Sequence, residues 1–271
     1  MANTKPLVSV VTATYNRPEY LAECMKSVMA QTVADWEMIV ADDGSNPPAE
    51  AGDDGRIRVV RCAHSGLPGI TRNRAIEQAR GRFIVGVDDD DMLTPKSLEF
   101  RLRAYDDSEG KGLRFVCGSS YNIGAGCGYQ QAIDETRLMQ VQYPSIGLSI
   151  HGWRGVHAQT VLAPRELYET YGLFDESADL RIGEDREMWA RWMNQGVEAI
   201  HCGRPVVFYR LHRNNSNHWV SAKDSERMHA YRDRAIEARA KGITVENTPL
   251  MTPNTFTSSV AASLTAVSGN R

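Results

Sequence analysis

The chain has 271 residues, 42% of them hydrophobic and 24% charged, with a net charge of −3. That length suits one large α/β domain, or a domain with a short appendage, and lets the chain fold without disulfides. Charge argues against nucleic acid as a partner, because there is no acidic or basic block and only a local basic groove would serve. The five cysteines, Cys24, Cys62, Cys117, Cys127 and Cys202, are scattered and form no CxxC pair. They predict reduced thiols rather than a disulfide framework or a cysteine-rich zinc site. No window approaches the ~20 apolar residues of a membrane span, and no apolar leader opens the chain. The expectation is a cytoplasmic protein, at most peripheral to a membrane.

Leu7 to Thr12 is a β-branched run and reads as a buried strand. Pro18 to Gln31 places Leu21, Cys24, Met25, Val28 and Met29 at helical spacing, with Pro18 in the first turn. Trp36 to Ala41 is a second strand, and Asp42-Asp43-Gly44-Ser45 is a turn at its end. Ile57 to Arg61 is a short third strand. Gly69 to Arg80 reads as a helix stopped by Gly81, and Phe83 to Val87 as a fourth strand followed by Asp88 to Asp91. Pro95 to Tyr105 is a further helix. Strands alternating with helices predict βαβ units and a mostly parallel sheet, with ligands outside the C-terminal strand ends. Three polar clusters fall at such ends: Thr14 to Arg17, Asp42 to Ser45, and Asp88 to Asp91.

The second half is less regular. Strands are predicted over Phe115 to Tyr121 and Val206 to Leu211, and helices over Arg165 to Tyr171 and Glu184 to Asn194. Gly124 to Gly128 reads as a loop or hairpin turn. Ser221 to Lys241 is a charged helix of mixed sign, a candidate for dimerisation or membrane-surface contact, although a solvated helix is the plainer reading. Thr244 to Arg271 reads as a weakly structured tail. The organisation expected is a catalytic domain over residues 1–217, divided near 105/106 into nucleotide-binding and acceptor-side halves, with a C-terminal helix and tail over 218–271.

The acidic run carries the strongest chemical signal. Four consecutive aspartates repel one another unless hydrogen bonds or a cation compensate. Mg²⁺ and Mn²⁺ prefer carboxylate oxygens and keep positions open for phosphate. Alternation along an extended segment turns Asp88 and Asp90 to the same side. A solvated acidic turn is the plain alternative. Asp42 and Asp43 alone mark a common turn. Arg72, near a helix N-terminus, suits a phosphate or carboxylate. Glu184 and Asp185 open a helix, where the dipole favours acids, and a carboxylate there also suits a general base. His212 is a candidate metal or diphosphate ligand, and Arg210 and Arg213 are candidates to neutralise leaving-group charge.

In their order along the chain, VSVVTATYNRPEYLAECMKSVMAQ, WEMIVADDGS, GITRNRAIEQARGRFIVGVDDDDML, YGLFDE, GEDREMWARWMNQG and FYRLHRNNSN resemble the inverting family 2 glycosyltransferases with a GT-A fold. The resemblance spans about Val8 to Asn217. It implies a Rossmann-like α/β sheet flanked by helices, a nucleotide-sugar donor (UDP being the usual nucleotide), Mn²⁺ or Mg²⁺, and a saccharide or lipid-linked acceptor. It places Thr14, Tyr15, Asn16, Arg17, Asp42, Asp43, Arg72, Asp88 and Asp89 at the donor, with Asp42 on the base and Asp88 towards the ribose. It implies Asp90 on the metal with His212, and Asp185 as the catalytic base beside Glu184. Two positions depart from the family pattern: Ala13 stands for a proline, and Asp89 stands for a small residue as an extra charge on the metal or facing solvent. The acceptor region, Tyr121 to Arg165, matches least, and Trp153, His157 and Gln159 in it, with Glu184 beyond it, are the candidate acceptor or sugar contacts. A nucleotidyltransferase is the first rival, opposed by TATYNR standing where a Gly-rich triphosphate loop belongs. A non-catalytic nucleotide-sugar-binding protein is the second, opposed by the retained Glu184-Asp185 pair. Modified phage DNA is the alternative acceptor.

Overall fold

The computed structural model describes residues 5–108, 112–135, 141–142, 156–213 and 215, with positions 230, 233, 234, 236–238 and 241. Strand β1 (Val8–Thr14) lies at the centre of the first half. Its apolar run is continuous because both of its faces are covered. Val8 and Val10 enter one core, and Val11 enters the other. Helix α1 (Pro18–Met29) begins on Pro18, where no amide donor is needed, and buries Leu21, Cys24 and Val28. Beyond its end, Gln31 donates from Nε2 to the Ser27 and Thr94 carbonyls at 2.9 and 2.8 Å, tying the helix to the chain after the acidic run.

Strand β2 (Trp36–Asp42) runs parallel to β1, with Thr14 level with Asp42. Strand β3 (Ile57–Arg61) adds in parallel outside β2, and β4 (Phe83–Gly86) adds in parallel on the other side of β1. Helix α2 (Pro68–Gln78) makes the crossover between β3 and β4, and α3 (Ser97–Asp106) follows the acidic run. Parallel strands end together, so the segments after β1, β2 and β4 emerge at one edge of the sheet.

Beyond β4 the pairing is mixed. The remaining strands are β5 (Met92–Leu93), β6 (Arg114–Gly124), β7 (Val141–Gln142), β8 (Leu162–Pro164) and β9 (Glu198–Leu211). Their sheet order is β3-β2-β1-β4-β8-β6-β9-β5, with β7 paired to β6. Strand β8 is antiparallel to both β4 and β6, β9 is parallel to β6, and β5 is antiparallel to β9. The fold is thus α/β with helices on the sheet faces, as expected. The parallel character belongs to its first half. Strands of two or three residues, such as β5 and β8, carry too few positions to show a period.

Strand β9 begins eight residues earlier than the Val206 to Leu211 run suggests. Gly203 and Pro205 look like breakers, but they sit where the β6–β9 register shifts between Cys117 and Ser120, and a bulge accommodates both. The Gly124-to-Gly128 segment closes β6 in a turn and leads into helix α4 (Tyr129–Glu135). Helices α5 (Arg165–Tyr171) and α6 (Glu184–Asn194) pack with α2 on one face of the sheet, burying Trp189 and Trp192 against Phe115. Helices α1 and α3 cover the other face. All five cysteines are unpaired. Trp153, most of the Ser221-to-Lys241 helix and the tail from Thr244 lie outside the described residues. Among the described residues no helix is long and apolar enough to cross a membrane.

Candidate active site

The three polar clusters converge on a cavity of ≈330 Å³ at the C-terminal strand edge. Its walls include Tyr15, Arg17, Asp43, His64, Arg72, Asp88, Asp89, Asp90 and Arg181. Arginines and aspartates dominate its polar lining; Arg17 binds Asp89 and Asp90, and Arg72 binds Asp88.

The acidic run divides by direction. Asp88 accepts from Arg72 Nη2 at 2.6 Å. Asp90 Oδ2 meets Arg17 Nη1 at 2.7 Å and His212 Nε2 at 2.9 Å. Asp89 turns inward, accepting from Thr14 Oγ1 at 2.7 Å and Arg17 Nη1 at 3.1 Å. It therefore neither faces solvent as a spare charge nor joins the ligating group. Burial, with Asp90 beside it, pushes its carboxyl up to about 7 against the pull of Arg17. Asp91 is 1% exposed and accepts from the Arg210 amide at 2.8 Å and from Gln159 Nε2 at 2.6 Å. Burial and the neighbouring Asp90 and Asp88 charges raise it well above the usual carboxylate range. Potential ligand oxygens of Asp88, Asp90 and Asp91 lie within 4.8 Å of one another. Both Asp91 oxygens already hold protein donors, so Asp88 and Asp90 are the members with capacity for a further ligand.

The turn after β2 sorts its two acids. Asp42 is fully buried. Its oxygens accept from the Ser45 amide at 2.8 Å, the Ala49 amide at 3.1 Å and Arg61 Nη1 at 2.9 Å. Burial would raise this carboxyl, but those donors hold it below its ordinary value. Asp42 thus shapes the loop and does not reach the cavity, contrary to the base contact expected of it. Asp43 does reach it, held by the Ser65 and Gly66 amides at 2.8 and 2.9 Å. Asn16, in the left-handed region at φ 54°, latches this loop to the β1 end. It donates from its amide to Ser45 Oγ at 2.9 Å and accepts the Asn46 amide at 2.8 Å. Asn16 lines a neighbouring groove with Pro47 and Met25, not the cavity of the acidic run.

Tyr15 is 43% exposed and stacks on His64, with ring centroids 4.2 Å apart and 22° between planes. His64 Nδ1 faces the Asp43 carbonyl and carboxylate, both at 2.9 Å. Sequence reasoning missed His64 because a lone histidine before a Ser-Gly turn carries no spacing signal.

Helix α6 brings the second carboxylate pair. Gly183, at φ 90°, takes the left-handed conformation that turns the chain into the helix at Glu184. Glu184 is 7% exposed and accepts from Arg72 Nη1 at 2.5 Å, so Arg72 joins it to Asp88. Burial pushes Glu184 up to about 7, with Arg72 opposing and Asp185 adding. Burial alone would lower Arg72, but Asp88 and Glu184 outweigh it and hold the guanidinium charged. Asp185 is half-buried and accepts the Arg186 amide at 2.7 Å. It shares an electrostatic environment with the acidic run: the Tyr209 phenol is raised first by burial, then by Asp91, Asp88, Asp90 and Asp185.

Three sequence candidates turn out to be engaged in packing. Gln159 is 3% exposed and spends its amide on Asp91. His157 stacks on Tyr209 at 4.9 Å. Arg210 is 2% exposed and binds the carbonyls of Asp90, Ala125 and Cys127 at 2.7, 3.2 and 2.5 Å. It is therefore unavailable to a leaving group. His212 sits against Tyr20 with its Nε2 on Asp90.

The comparisons with known proteins fit this geometry. TuaG of Bacillus subtilis (strain 168), a glycosyltransferase named for teichuronic acid biosynthesis, is 29% identical over 82% of this chain and 87% of its own. The uncharacterized glycosyltransferase RP339 of Rickettsia prowazekii is 27% identical over 76% of this chain, which spans 64% of that protein. S. aureus TarS 1–349, solved in complex with UDP-GlcNAc, superposes with a TM-score of 0.60 at 18% identity, over 88% of this chain and 72% of TarS 1–349. Another structure of TarS 1–349 gives a TM-score of 0.56 at 20% identity, over 76% of this chain and 60% of that one. At such identities the TarS likeness shows the fold. The family model for glycosyl transferase family 2 matches residues 9–158, the stretch that carries β1 through the acidic run and on to β6. The chain belongs to glycosyl transferase family 2 and is a glycosyltransferase.

Proposed function

We propose that this enzyme moves a sugar from a nucleoside-diphosphate sugar, a UDP-sugar, to a hydroxyl of a saccharide or lipid-linked acceptor, with inversion at the anomeric carbon. The observation that carries the reading is the meeting of Asp88, Asp90 and Arg72 around one cavity at the strand ends, with Arg72 also holding Glu184 at the start of α6, the residue before Asp185. The fold shared with TarS, whose structures include complexes with UDP and UDP-GlcNAc, supports the choice of nucleotide. The name of TuaG supports a saccharide acceptor.

Tyr15, Asp43 and Thr14, which line the cavity, would receive the nucleoside, with Asp43 making the base contact in place of the buried Asp42. Asp88 is the acid for the ribose. A divalent cation fits the acidic run. Burial, with the neighbouring carboxylates adding to it, pushes Asp89 and Asp91 towards protonation, and Asp90 and His212 already face each other at 2.9 Å. Asp90 and His212, with Asp88 nearby, would hold Mn²⁺ or Mg²⁺, which when bound neutralises charge on the diphosphate. Asp185 takes the proton from the acceptor hydroxyl. That oxygen bonds to the anomeric carbon from the face opposite the donor phosphate, and the carbon–oxygen bond to the diphosphate breaks with its electron pair leaving on the nucleotide.

Calorimetric titration with UDP, GDP, CDP and dTDP, with and without Mn²⁺, tests the donor site. The expected result is metal-dependent binding of UDP that Asp90→Ala abolishes. Absence of binding by all four nucleotides would sink the donor assignment.

A further inference from the structure

Among the described residues the cavity is lined by three guanidinium groups, Arg17, Arg72 and Arg181, and two are committed. Arg17 is shared between Asp89 and Asp90, at 3.1 and 2.7 Å. Arg72 is shared between Asp88 and Glu184, at 2.6 and 2.5 Å. The third, Arg181, lines the same cavity, is exposed, and makes no hydrogen bond or ion pair to any described residue. Arg210, the sequence candidate for leaving-group charge, is sealed behind the acidic run by three carbonyls. Among the described residues the wall is therefore acidic where it is paired and carries an uncommitted cation only at Arg181.

Arg181 is placed there by structure on both sides of it. The preceding 3₁₀ turn, Ala178–Leu180, is capped by Ser177 accepting the Asp179 amide at 3.2 Å and anchored by Leu180, which is 2% exposed. Gly183 and the buried Glu184 follow at the start of α6. The guanidinium thus projects from a short turn fixed at both ends, beside the helix that carries Asp185. Arginine offers planar, bidentate donors that match phosphate oxygens.

We propose that Arg181 is a substrate-binding residue that takes the diphosphate of the donor and of the departing nucleotide. This assignment rests on the donor reading given above. It makes the start of α6 a carrier of two functions, the base at Asp185 and the leaving-group cation four residues earlier.

The test uses whichever of UDP, GDP, CDP and dTDP the wild type binds in Mn²⁺, together with its parent nucleoside followed by ligand-observed NMR. Arg181→Ala should weaken the diphosphate about tenfold or more and leave the nucleoside unchanged, because a hydrogen-bonded charge on phosphate is lost while the base contacts remain. Arg181→Lys should recover part of the loss, and added salt should narrow the gap. A diphosphate affinity in Arg181→Ala within twofold of wild type would overturn the assignment. So would an equal loss of diphosphate and nucleoside, which would mean a change in pocket shape. Failure of the wild type to bind any of the four nucleotides would overturn the donor reading and this one together.

Discussion

The Glu184 carboxyl is where the electrostatics of the site can be read as stability. It is 7% exposed, its Oε1 lies 2.5 Å from Arg72 Nη1, and burial raises it from 4.5 to about 7. In the unfolded chain it titrates near its ordinary value. Between those two values the native state holds a proton that the unfolded state has released. The stability it contributes is therefore complete below pH 4.5 and is lost as pH rises through about 7. At ~1.36 kcal/mol for each pH unit between the two values, the loss amounts to about 3 kcal/mol. Glu184→Gln keeps the shape and an acceptor for Arg72 but cannot titrate. Urea unfolding of wild type and variant at several pH values between 4.5 and 8 isolates this group, because Asp89 and Asp91 are common to both proteins and cancel in the difference. The stability gap should move by about 3 kcal/mol in favour of glutamine across that range. A gap that stays constant with pH would refute the argument that burial dominates over the Arg72 ion pair.

Other consequences follow from single contacts. Asp185→Asn should abolish sugar transfer while nucleotide affinity by calorimetry stays near wild type; normal turnover would remove Asp185 as the base. Asp42→Ala frees the Ser45 and Ala49 amides and Arg61, so it should cost about 2 kcal/mol of unfolding free energy. It should also weaken nucleotide binding less than Asp43→Ala does; the reverse order would restore Asp42 to the base. A Cβ at Gly81 would stand 2.5 Å from the Ser9 backbone nitrogen, where Gly81 itself donates to Ser9 Oγ at 2.8 Å. Gly81→Ala should therefore destabilise by about 1–3 kcal/mol in thermal or urea unfolding, at the sheet edge away from the cavity; an unchanged midpoint would show that the loop yields freely.

The sequence by itself determined the parts of this protein that rest on neighbouring residues. The alternation of β1, α1, β2, β3, α2 and β4 was legible because apolar periodicity and Pro or Gly punctuation are local, and β3, α5 and α6 begin and end where those signals place them. The position of the acidic run after β4, and of Glu184-Asp185 at a helix start, followed in the same way. Tertiary structure decided which of those side chains face a ligand, because partner choice depends on residues far apart in the chain. Asp91 is closed off by Arg210 and Gln159, 119 and 68 residues away, and Asp89 by Thr14, 75 residues away. Asp42 and Asp43 are adjacent in sequence, yet one is buried under loop amides and the other faces the cavity. Buried polar groups must find hydrogen-bond partners wherever the fold supplies them. That requirement withdrew Gln159 and Arg210 from the chemistry and left Arg181, on a turn with no motif of its own, facing the cavity as the cation without a partner among the described residues.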